Sequence, residues 1–60
     1  MRFAVECYNG GELVSAASFS SLAEAKTFAV QTADSGLFAR VALLTERGDL
    51  LDEYFNFDGA

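Results

Sequence analysis

Residues 2–19 read R-F-A-V-E-C-Y-N-G-G-E-L-V-S-A-A-S-F, and this stretch decides the fold. Phe3, Val5 and Cys7 alternate with Arg2, Ala4, Glu6 and Tyr8, the period-two pattern of a strand buried on one face. Asn9-Gly10-Gly11 follows. Asn-Gly between two apolar runs is a strong hairpin signal, because both residues tolerate positive φ. Glu12 to Phe19 therefore returns as a second strand. Two registers compete. A three-residue loop pairs Cys7 with Leu13 and turns Leu13, Ala17 and Phe19 inward, whereas a two-residue loop turns Val14 and Ala16 inward. The longer loop hides the larger Leu13 and Phe19 and is the expected one.

Working outward, Ser21-Leu22-Ala23-Glu24 has the form of a capping box, with the Ser21 hydroxyl accepting from the Glu24 amide. The helix it opens is expected to reach about Asp34. Leu22, Ala25, Phe28, Ala29, Thr32 and Ala33 fall at 3-4 spacing and form one stripe. The alanines on that stripe imply a helix lying close to a sheet. Gly36 is placed to end the helix in the left-handed conformation. Leu37 to Glu46 is the third expected strand, with Ala39, Val41 and Leu43 on one face and Phe38, Arg40, Ala42 and Leu44 on the other. Arg47-Gly48-Asp49 is a turn. Leu50 to Asp58 is the fourth strand, with Leu51, Phe55 and Phe57 inward and Leu50, Asp52, Tyr54, Asn56 and Asp58 outward. Glu53 then has the parity of the core face, so it needs a bulge, an edge position or a free strand end to reach solvent.

The order β-β-α-β-β predicts an α+β fold: one domain over residues 1–60, a single four-stranded, mostly antiparallel sheet, and one helix packed on one face. One helix covers only one face of such a sheet. Tyr8, Phe38, Leu44 and Tyr54 are expected on the open face, among Arg2, Glu6, Arg40 and Asp52. That is more apolar than an open antiparallel face normally is, and such patches mark binding surfaces. Scattered surface apolars are the plainer alternative.

Composition narrows the chemistry. A chain of 60 residues buries only about 60% of the surface it exposes when unfolded, so its stability is marginal. Cys7 is the single cysteine and there is no histidine. This excludes an internal disulfide and leaves no Cys–His zinc set. No histidine exists to activate Cys7 as a nucleophile, and its inward parity marks it as a small hydrophobe. Lys26 reads as a solvated helix lysine. Asp49, Asp52, Glu53 and Asp58 lie close in sequence, but carboxylate pairs working as acid and base normally need a cleft, for which this chain has little volume. Their spacing also does not match a calcium loop. Catalytic, metal and cofactor residues are therefore expected to be none. The Arg-Gly-Asp tripeptide at 47–49 matches a cell-adhesion motif, yet turn chemistry explains it without further assumptions.

The N-terminus M-R-F-A-V-E lacks the form of a signal peptide, and no apolar run approaches the roughly 18 residues of a membrane span. An unpaired cysteine fits a reducing cytoplasm. Net charge −5 argues against direct binding to nucleic acid or anionic lipid, both of which need positive charge. It favours a basic protein partner. Residues 46–60 carry five of the nine carboxylates and one of the four bases. Glu46, Asp49, Asp52, Glu53, Tyr54 and Asp58 are the expected partner-binding residues, since charge steers an encounter and aromatics supply buried anchors.

In its small size, acidity, lack of a catalytic set and the run T-E-R-G-D-L-L-D-E-Y-F-N-F-D at 45–58, the chain resembles the small acidic inhibitors that phages direct against host defences, anti-CRISPR proteins among them. The resemblance implies a stoichiometric, non-enzymatic inhibitor that imitates DNA and occupies a basic, nucleic-acid-binding site on a defence complex. The competing expectation is a structural or accessory module that self-associates, or binds a partner, through its open sheet face. A monomer or a weak homodimer fits either.

Overall fold

The computed structural model describes residues 1–56. The chain runs β1 (Phe3–Asn9), β2 (Glu12–Phe19), α1 (Leu22–Asp34), β3 (Arg40–Thr45) and β4 (Leu50–Phe55). The strands form one sheet in the order β2-β1-β3-β4, and every neighbouring pair is antiparallel. Two hairpins thus lie side by side with β1 and β3 at the centre, and α1 packs on one face. The α+β class and the element order are as expected.

The first hairpin corrects the expected register. Asn9 pairs with Glu12, so Gly10 and Gly11 alone make the loop. Their φ values of 60 and 80° supply the two positive angles that a two-residue hairpin turn requires, which two glycines meet without steric cost. Tyr8 then pairs with Leu13 and Cys7 with Ser15, leaving Val14 as an extra residue in β2. This bulge restores the odd-numbered residues to the core side. Ala17 and Phe19 face the core side as expected, although opposite Val5 and Phe3, while Leu13 sits on the open face, 49% exposed. Each loop length accounts for part of the strand because a bulge reverses parity between the two parts.

The helix is capped as expected: the Glu24 amide donates to Ser21 Oγ at 3.3 Å. Gly36, at φ 74°, follows the C-cap Ser35, and its amide donates to Ala33 O at 3.3 Å. The expected stripe is narrower in the fold. Ala25 and Ala29 are fully buried, Thr32 and Ala33 partly so, while Leu22 and Phe28 lie at the margins. Two alanines let the helix backbone approach the sheet closely, so larger flanking side chains splay outward. Phe28 meets Phe19 with ring centroids 5.1 Å apart.

β3 starts at Arg40, not Leu37. The segment before it is held by a side chain: Asn9 Nδ2 donates to Leu37 O at 3.2 Å, and the Ala39 amide donates to Asn9 Oδ1 at 2.8 Å. Ala39 lies exposed instead of in the core, and Phe38 packs against the core cluster instead of joining the open face. Val5, Cys7, Ala25, Ala29, Val41 and Leu43 form that cluster.

The largest correction falls on β4. Leu44 pairs with Leu50 but Leu43 pairs with Asp52, so Leu51 is a second bulge residue. Beyond it the parity is the reverse of the expected one, since a one-residue slip exchanges the faces of every later side chain. Asp52 and Tyr54 lie on the helix side opposite Leu43 and Val41, and Tyr54 packs on the core. Glu53 and Phe55 lie on the open face opposite Ala42 and Arg40. Leu51 and Phe55, expected inside, are 47% and 54% exposed. Two effects select this register: the Tyr54 ring gains core contact, and Glu53 reaches an arginine. Phe57 and Asp58 fall outside the described residues.

Candidate functional site

The face of the sheet away from α1 is a lattice of three rows, each read across β2, β1, β3 and β4. The first row is Leu13, Tyr8, Arg40 and Phe55; the second is Ala16, Glu6, Ala42 and Glu53; the third is Ser18, Ala4, Leu44 and Leu50. Directly paired residues on one face stand close enough for their side chains to touch. Leu13, Leu50 and Phe55 are each about half exposed, and Tyr8, Arg40 and Leu44 are partly covered. Ala42 lies between Glu6, Arg40, Leu44 and Glu53 and is only 1% exposed.

A polar chain crosses this lattice. The Tyr8 hydroxyl donates to Glu6 Oε1 at 2.7 Å. The Arg40 guanidinium lies 4.8 Å from the centre of the Tyr8 ring, within cation–π range. Arg40 Nε donates to Glu53 Oε2 in a part-buried ion pair. The Glu6 carboxylate, as acceptor and as nearby negative charge, raises the Tyr8 pKa above the ordinary tyrosine value. Tyr8 is thus a neutral aromatic at physiological pH with its hydroxyl direction fixed. Below it, Arg2, Ala4, Glu6, Leu44 and Glu46 line a shallow depression at the β3–β4 turn end.

The helix side carries a second tyrosine–carboxylate pair. The Tyr54 hydroxyl donates to Asp52 Oδ2 at 3.0 Å, and the Glu53 amide donates to Asp52 Oδ1 at 2.9 Å. The amide bond, then the tyrosine bond, hold the Asp52 carboxyl below the ordinary aspartate value, with Lys26 on the helix contributing the same way. Burial, then the Asp52 bond, raises Tyr54.

The expected partner-binding residues therefore separate. Glu53 is on the open face and Glu46 lines its lower margin. Asp49 is exposed in the turn, whose shape Thr45 fixes by accepting from the Arg47 and Asp49 amides through Oγ1 at 3.3 and 3.1 Å. Arg47 and Asp49 of the tripeptide are both exposed there. Asp52 and Tyr54 are on the opposite face, and Asp58 lies outside the described residues. Leu13 and Phe55 reach the open face against the expectation from sequence, and Arg40, expected on that face, lies outside the acidic–aromatic set. One signal was available: Glu53 had the wrong parity for an unbroken strand.

Cys7 is 2% exposed, and burial raises its thiol pKa, opposite to the direction that makes a thiolate nucleophile. Among the described residues no three His, Cys, Asp or Glu side chains come together as a metal site, and no helix is long and apolar enough to cross a membrane. No protein-family model matches the chain, no curated protein matches it, and no solved structure matches it.

Proposed function

We propose that this protein is a non-enzymatic binding domain that docks its open sheet face onto a basic surface of a partner protein. One observation carries the reading: the row Leu13, Tyr8, Arg40 and Phe55 crosses the whole sheet as a single strip, with Leu13 and Phe55 about half exposed and Tyr8 and Arg40 partly so. Tyr and Arg are, with Trp, the residues enriched at the energetic centres of interfaces. Glu6 and Glu53 supply negative charge in the adjoining row and Glu46 at the far, β3–β4 turn end of the face, and the chain's net charge of −5 steers a basic partner toward it. The acidic–aromatic surface is thus assembled from all four strands, not from β4 alone.

The acidic excess favours a finer form of the same reading, in which the basic surface is a nucleic-acid-binding site and the protein inhibits by occupying it. Capture from a lysate of the native host, repeated with two variants, tests both levels. Leu13→Lys/Tyr8→Ser is expected to lose the captured partner, while Asp52→Asn, on the opposite face, keeps it. Equal capture by both variants overturns the open-face reading. Added duplex or single-stranded nucleic acid is expected to release the partner; release by neither leaves the binding but removes the nucleic-acid-site form.

A further inference from the structure

The two outer edges of the sheet differ in a way that the proposed function does not use. Exposed strand edges are normally guarded by charge, because their unpaired N–H and C=O groups template pairing with another chain. β4 carries Asp52 and Glu53. β2 reads E-L-V-S-A-A-S-F and, after Glu12, has no charged residue, no proline and only small side chains between Val14 and Phe19. Its bulge at Val14 leaves Ser15–Phe19 as an unbroken run against β1. We infer that this edge pairs antiparallel with the same edge of a second copy of the chain, joining two four-stranded sheets into one of eight strands.

The occupant follows from self-complementarity. Two identical strands paired antiparallel about a two-fold axis at Ala17 place Ala17 opposite Ala17, Ala16 opposite Ser18 and Ser15 opposite Phe19. Pairing about a single residue makes the hydrogen-bonding edges complementary, because the same residues offer outward groups on both strands. On the helix side, the exposed Ser15 lines a groove of about 340 Å³ together with Phe28, Gln31, Thr32 and Phe38. The two-fold axis brings Phe19 of the second copy beside that groove. Glu12 lies outside the paired run, so the contact brings no two carboxylates face to face, although each chain carries net −5. The pairing leaves the open face free, so it holds or fails independently of the proposed function.

Sedimentation equilibrium on the whole chain tests this, across concentration and salt. The average mass is expected to rise from one chain toward two with concentration, and further with added salt, since screening relieves repulsion between two acidic copies. Ala16→Glu/Ser18→Glu sets like charges directly opposite each other across the axis and is expected to abolish the dimer, as is Ala16→Lys/Ser18→Lys. Both positions are exposed. An equimolar mixture of the two variants is expected to restore it as a heterodimer, which also shows that each is folded. A parent protein that stays monomeric at millimolar concentration overturns the inference. So does a dimer that survives in either variant, or a mixture that fails to associate.

Discussion

β1–β2 and β3–β4 are both antiparallel hairpins whose outer strand carries one extra residue near the turn, Val14 in the first and Leu51 in the second. Both extra side chains point to solvent, 48% and 47% exposed. The two bulges act alike: each reverses side-chain parity partway along an edge strand, while the central strands β1 and β3 pair with each other without a break. They differ in what the reversal delivers. In β2 it hides Ala17 and Phe19 and displays Leu13. In β4 it hides Tyr54 and displays Glu53 and Phe55. Regular strands at the centre thus fix the fold, and the irregular edges decide which chemistry reaches the surface.

The sharpest way to break the comparison is at the seam between the hairpins. Leu43 lies opposite Val5 and is 2% exposed. Leu43→Ala should cost about 2–5 kcal/mol, comparable with the total stability of about 3–9 kcal/mol expected for a domain of this size. Urea unfolding followed by NMR at Tyr8 and Tyr54 is expected to show both hairpins melting together, at a much lower midpoint. Loss of the Tyr54 signal with Tyr8 intact would mean that the first hairpin is stable alone.

A smaller effect separates the two polar clamps. Asn9 reaches across the fold to hold Leu37 and Ala39, whereas Thr45 binds only its own turn. Asn9→Ala removes the bond to Leu37 O and one of the two acceptors of the Ala39 amide, which still donates to Tyr8 O at 3.1 Å. It should cost about 1–2 kcal/mol, while Thr45→Val, whose turn amides can turn to water, should cost about 0.5–1.5 kcal/mol. An unchanged midpoint in denaturant for Asn9→Ala would show that the Leu37–Ala39 segment does not depend on Asn9.

These particulars also show how far the sequence was legible. Alternation in residues 3–7, the Ser21 cap, the alanine stripe and Gly36 are local signals, and they placed every element within a few residues. The strand that misled was β4. Its alternation was genuine but was interrupted at Leu51, and one inserted residue in an edge strand has no local signature among apolar neighbours. The only trace was Glu53, a carboxylate with core parity, and the partner that explains it, Arg40, lies on another strand. The same holds for Asn9: its turn propensity was visible, but its role as a clamp depends on a segment nearly thirty residues away. The open-face row Leu13–Tyr8–Arg40–Phe55 needed three strand registers together, two of them set by bulges.

The Arg40–Glu53 ion pair gives a still smaller effect. It is part-buried, and Glu53→Gln, which keeps the shape, should cost about 0.2–1 kcal/mol. The loss should shrink in high salt. A salt-independent loss would point to the Arg40 hydrogen bond itself, and not to the charge, as the cause.

The least effect, and the one that compares the faces most directly, is in pH dependence. The Asp52 carboxyl is held below its ordinary value in the folded protein. A carboxyl of this kind stabilises the fold above its unfolded pKa and loses that contribution as pH falls through the folded value. Asp52→Asn should therefore flatten the acid limb of a plot of Tm against pH, below about pH 4. Tyr8 and Tyr54 are both raised, so their contribution is complete below the ordinary tyrosine pKa of about 10 and is lost as pH rises through the folded values. Tyr54→Phe and Tyr8→Phe are each expected to flatten the alkaline limb, with burial the leading cause at Tyr54 and the Glu6 hydrogen bond at Tyr8; an unchanged limb in either variant would remove that tyrosine's link to stability. Larger flattening from Tyr8→Phe would place the stronger tyrosine–carboxylate coupling on the open face. That face would then be the more rigidly organised of the two.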